Sequence, residues 1–79
     1  MFTVQVIDKK KEKPVRFAIV DVVFRGWRKE TGWHTTNRKG EIDFEHRSGH
    51  GKVYIKTGIW SGSQIVYEGE ISGRVVVYV

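Results

Sequence analysis

The strongest constraint in this 79-residue sequence is a two-residue hydrophobic period, broken by turn signals roughly every ten residues. Phe2, Val4 and Val6 alternate with Thr3, Gln5 and Ile7. Ile42 and Phe44 alternate with Glu41, Asp43 and Glu45, the cleanest half-buried strand in the chain. Successive side chains of a strand point to opposite faces, so each such segment turns one apolar face to a core and one polar face to water. No stretch carries the 3.6-residue period of an amphipathic helix. The expectation is one all-β domain over residues 1–79. It is a single seven-stranded β-sandwich, antiparallel or mixed, of immunoglobulin-like or transthyretin-like type.

The strands expected are residues 2–8, 15–24, 32–36, 41–45, 52–57, 64–71 and 74–79. Between them lie a charged turn over 8–14, a loop over 25–31, the turn Asn37-Arg38-Lys39-Gly40, a loop over 46–51 and a loop over 58–63 that carries Trp60. Ser72-Gly73 reads as a tight hairpin turn. Pro14 has no N–H for a ladder, so it belongs at a strand start or on an edge. Within 15–24, Ala18, Val20 and Val22 share one face; Ile19, Asp21 and Val23 share the other, which Asp21 marks as the wetter. Trp33 is expected to face inward opposite Phe44. The last strand, Val75-Val76-Val77-Tyr78-Val79, is uncharged and apolar on both faces. Left open at an edge it would aggregate, so it is expected either inside its sheet or under a partner.

Size and composition restrict function. A domain this small buries only about 60% of the surface its unfolded chain exposes, which leaves little stability for a strained catalytic centre. There is no cysteine, hence no disulfide and no thiolate metal site. A strand begins at once after Met1, with no charged segment ahead of an apolar one, so no signal peptide is read. A complete chain would then be cytoplasmic; otherwise location is undetermined. No apolar run approaches the roughly 18 residues of a membrane span.

Particular residues carry a resemblance. They are Val6-Ile7-Asp8, Lys13-Pro14-Val15, Ala18-Ile19-Val20, Thr35-Thr36-Asn37-Arg38-Lys39-Gly40 and Gly51-Lys52-Val53-Tyr54-Ile55. Together they resemble the carboxypeptidase regulatory-like domain, a transthyretin-like (prealbumin-like) β-sandwich. Phe17 stands where that family usually has glycine, and Tyr54 is one place from its tyrosine. The resemblance spans about residues 2–57 and rests on turn and core positions. It implies an accessory module used for stability, spacing or adhesion. The same fold hosts hydrolases that end in a tyrosine-arginine-glycine-serine run; Val75-Val76-Val77-Tyr78-Val79 does not match it.

Catalytic chemistry is weakly represented. Nucleophilic catalysis requires a nucleophile, a base and an orienting group brought together. Ser48 lies between His46 and His50, but on so short a loop the side chains splay apart. If residues 37–40 close a hairpin, His34 faces Asp43, and with His46 nearby the group could hold zinc or copper. The preferred reading is a cross-strand surface pair. No catalytic residue, metal, cofactor or small-molecule substrate is therefore assigned, and the chain is read as not an enzyme.

Charge says more. Fourteen Lys and Arg oppose nine Asp and Glu, a net +5. In an alternating sandwich, loops 25–31 and 46–51 and the 72–73 turn meet at one end. That end collects Arg25, Trp27, Arg28, Lys29, His46, Arg47, His50, Lys52 and Arg74; the other collects Lys9, Lys10, Lys11, Lys13, Arg38, Lys39 and Trp60. The candidate contact residues are Arg25, Trp27, Arg28, Lys29, Arg47 and Trp60. The reading is a non-enzymatic protein-interaction or structural module, with a protein partner or a homodimer. The alternative is a small basic nucleic-acid-binding protein, with loops 25–31 and 46–51 meeting phosphates and Trp27 stacking a base.

Overall fold

The computed structural model describes residues 1–26, 30–56 and 62–79. It is all-β, in two four-stranded sheets around a single core. Chain order is β1 (Phe2–Asp8), β2 (Lys13–Pro14), β3 (Ile19–Phe24), β4 (His34–Thr35), β5 (Glu41–Phe44), β6 (Gly49–Lys56), β7 (Ser63–Ile71) and β8 (Gly73–Tyr78). In the first sheet β1 is central. One side of it pairs antiparallel with β5 over residues 2–5 and with β2 at residues 7–8; the other side pairs parallel with β8. The second sheet runs β4-β3-β6-β7, antiparallel throughout. Among the described residues no helix is long and apolar enough to cross a membrane.

Period-two alternation builds the core. Phe2, Val4, Val6, Ile42, Phe44, Val75 and Val77 are buried from the first sheet; Val20, Val22, Val53, Ile55 and Ile71 meet them from the second, with Ala18 at the rim. Each fully buried aliphatic or aromatic side chain contributes on the order of 1.5–3 kcal/mol by leaving water.

Five expectations are corrected. The segment 15–24 is not one strand: the chain leaves the first sheet at Pro14 and enters the second at Ile19, turning through Phe17 at φ 63°. Residues 37–40 do not close a hairpin, because β4 and β5 lie in different sheets, and Ser72-Gly73 likewise carries the chain from β7 in one sheet to β8 in the other. The strand 73–78 is then an edge strand, paired with β1 alone among the described residues. Trp33 is 43% exposed, with the Lys56 ammonium 5.3 Å from its ring. Conversely Asp21, read as the wetter side of its strand, is buried, because the residues before β4 fold over that outer face. Alternation predicts which residues share a face; it does not tell which sheet a strand joins, and these errors share that origin.

Candidate functional site

The connections β3–β4, β5–β6 and β7–β8 lie at one end of the two sheets, since Phe2 pairs with Phe44 and Gly73 while Phe24 pairs with Gly51. Three phenylalanines of successive inward phases close this end. Phe2 stacks on Phe44 with centroids 5.1 Å apart and meets Phe24 edge-on at 5.7 Å. His46, just past β5, lies over Phe24 at 6.5 Å and near Phe44 at 6.4 Å. His34 meets Phe44 edge-on at 5.2 Å. Offset and edge-on ring pairs of this kind add roughly 0.5–1.5 kcal/mol each beyond simple burial.

Above this aromatic floor lies an open groove of about 700 Å³, lined by Phe24, Arg25, Glu45, His46, Arg47, Ser48, Gly49 and His50. The Arg25 backbone N–H donates to the His50 carbonyl (2.8 Å), which ties the β3–β4 connection to β6. The far end of that connection is also anchored. Glu30 bridges Val23, and the Thr31 N–H donates to the Val22 carbonyl (2.9 Å). The Thr31 hydroxyl accepts from the Val22 N–H (3.1 Å) and approaches buried Asp21 (3.3 Å). Glu30 stands beside Asp21. A shared hydrogen bond, and then the Asp21 charge, raise the Glu30 carboxyl above its ordinary value.

Of the candidate residues, Arg25 and Arg47 both border the groove. Trp27, Arg28, Lys29 and Trp60 lie outside the described residues. Arg74 starts β8 at this end but does not join the groove. Its guanidinium lies on the outer face of the first sheet, 2.6 Å from Glu41 and 3.2 Å from Gln5. His34 and Asp43 are not brought together: the His34 ring nitrogen meets the Thr31 carbonyl (3.0 Å), and Asp43 accepts from the Thr3 hydroxyl (2.6 Å). Ser48 shares the groove with His46 and His50, yet no hydrogen bond joins it to either ring among the described residues. No cluster of three metal-ligating side chains occurs among them.

Two participants escaped sequence reasoning. Phe24 floors the groove, and its phase with Ala18, Val20 and Val22 would have found it. Phe17 is 66% exposed at the opposite end, at left-handed φ, with the Arg16 guanidinium 4.7 Å over its ring. Comparison of the chain with family models, with characterised proteins and with solved structures finds no match.

Proposed function

We propose that the chain is a non-enzymatic interaction module with a transthyretin-like sandwich architecture, taking an acidic protein segment on its loop end. The observation that carries this is the groove itself. Arg25 and Arg47 border an aromatic floor of Phe24 and His46, with Glu45 the one acidic side chain in the lining, and the connection that supplies Arg25 is anchored to β6 through the His50 carbonyl. Guanidinium recognises carboxylate with two parallel hydrogen bonds, and an aromatic floor takes an apolar or aromatic neighbour from the same segment.

The resemblance to the carboxypeptidase regulatory-like pattern is supported at its turn positions. Phe17, at the family's glycine, adopts the left-handed backbone that glycine adopts without strain. Thr36 is buried, its hydroxyl accepting from the Ala18 N–H (2.8 Å) and donating to the Val15 carbonyl (2.6 Å). Gly40 is left-handed at φ 72°, hard against the Val6 carbonyl.

A second reading, single-stranded nucleic acid on the same groove, is favoured by the stacked Phe24 and His46 rings beside two cations. One titration tests both. A labelled acidic, tyrosine-containing peptide and a single-stranded oligonucleotide are measured by anisotropy at low and moderate salt. The peptide is expected to bind, with about tenfold loss in the Arg25→Ala/Arg47→Ala double variant. Oligonucleotide binding that collapses steeply with salt selects the second reading. Failure of both ligands overturns the groove as a site.

A further inference from the structure

Among the described residues, every sheet edge but one carries a device against pairing with another chain. β2 and β4 are two residues long, and β2 contains Pro14. β5 has four residues, of which Glu41 and Asp43 are charged. β7 is long, but it is bulged opposite Val53/Tyr54, carries Glu68 and Glu70, and is distorted at Gly69 (φ 149°). Short strands, proline, charge and bulges are how native edges avoid association. β8 has none of these from Val75 onward, and among the described residues its second side is unpaired.

The ladder to β1 fixes which β8 groups point outward. The Val79 N–H donates to the Ile7 carbonyl, and the Lys9 N–H donates to the Val79 carbonyl, each at 2.9 Å. In a parallel ladder the backbone groups of alternate residues serve one neighbour, so Val75, Val77 and Val79 face β1. Arg74, Val76 and Tyr78 then present their N–H and C=O groups to the open side.

We propose that β8 pairs antiparallel with β8 of a second copy, about a two-fold axis through Val76, joining two four-stranded sheets into one of eight. In that register Arg74 faces Tyr78 of the partner, Val76 faces Val76, and Tyr78 faces Arg74. These three pairs are the residues whose backbone groups point outward, giving about six main-chain hydrogen bonds. On the inner face Val75 meets Val77, which continues the buried row. Charge fits as well: Arg74 is the one charged residue of β8, its guanidinium is turned back onto Glu41 and Gln5, and it falls opposite exposed Tyr78 rather than its own copy. Self-complementarity of backbone, core row and charge in one register favours a second copy over an unrelated strand. The inference concerns β8 and does not rest on the groove.

Sedimentation equilibrium of the wild-type chain is expected to give about 18 kDa, twice the 9.2 kDa monomer. Val76→Lys sets two ammonium groups face to face, and Val76→Pro removes an outward N–H without touching the β1 ladder; both are expected to sediment as monomers with unchanged circular dichroism. Because the chain has no cysteine, Val76→Cys should cross-link to a dimer under mild oxidation, and Tyr78→Cys should not. A wild-type monomer at millimolar concentration, a dimer that survives Val76→Lys, or cross-linking through Tyr78→Cys in preference to Val76→Cys overturns the proposal. Groove binding by monomeric Val76→Lys would show the two surfaces to be separate.

Discussion

The two ends of this molecule are held by different physics. At the loop end, Phe2, Phe24, Phe44 and His46 come from three separate segments and meet as packed rings. At the opposite end, polar side chains bond to backbone. The Asp8 carboxylate accepts from the N–H groups of Lys10 and Lys11, Asn37 Oδ1 accepts from those of Lys39 and Glu41, and Thr36 ties residues 15 and 18. The difference teaches where variation can be carried. An end made of hydrogen-bonded turns is specified residue by residue, whereas an end made of packed rings leaves its connections to present a ligand surface.

The largest effect should come from breaking the ring end. Phe2 is 1% exposed and touches both other phenylalanines. Phe2→Ala should cost about 3–5 kcal/mol in denaturant unfolding. It should also weaken groove binding, since the floor collapses. The turn end should answer to backbone geometry instead. A Cβ on Gly40 would lie 2.6 Å from the Val6 carbonyl oxygen, at a φ that L-residues avoid. Gly40→Ala is expected to cost roughly 2–3 kcal/mol while leaving groove affinity in the folded fraction unchanged.

A smaller effect has the reverse sign. Phe17 holds a left-handed backbone with an exposed side chain. Phe17→Gly should raise stability by about 1 kcal/mol, read as a higher midpoint in urea. No rise would mean that contact with Arg16 offsets the strain.

The two ends should also differ in the sign of their pH dependence. At the loop end, Glu30's carboxyl is raised above its ordinary 4.5 by Asp21. Its contribution is complete below 4.5 and is lost as pH rises through the folded-state value. At the turn end, Asp8's carboxyl is lowered from 3.8, chiefly by the Lys11 N–H. Its contribution is present above 3.8 and is lost as pH falls through the folded-state value. Glu30→Gln should therefore make the protein more stable near neutral pH and flatten the loss above pH 4.5. Asp8→Asn should remove stability near neutral pH and flatten the acid limb. Matching slopes in the two variants would dissolve the contrast.

Legibility in the sequence follows the same division. The turn at Asn37–Gly40 and the inward phases of Phe2, Val4, Val6, Ile42, Phe44, Val53 and Ile55 were readable, because turn chemistry and alternation are local. The hairpin at Ser72-Gly73 and the pairing of His34 with Asp43 were misread, because the same residues serve a turn within a sheet or a crossing between sheets. Trp33 was misplaced for the same reason: with β4 only two residues long, no second row of strand fixes its side. Of the candidate contacts, Arg25 and Arg47 border the groove; Phe24 was within reach of its phase with Val20 and Val22, whereas the Asp21–Glu30 pair emerges only when β3 is seen beside its neighbours.

The sequence alone therefore determined an all-β domain, most of its core faces and the turn at Asn37–Gly40. Those depend on side-chain period and on φ restrictions within a few residues. Only the tertiary structure decided that β8 runs parallel to β1 on an outer edge, and that Phe24 and His46, backed by Phe2 and Phe44, floor one groove. Sheet membership is set by contacts between residues as far apart as Phe2 and Gly73, which no local pattern encodes.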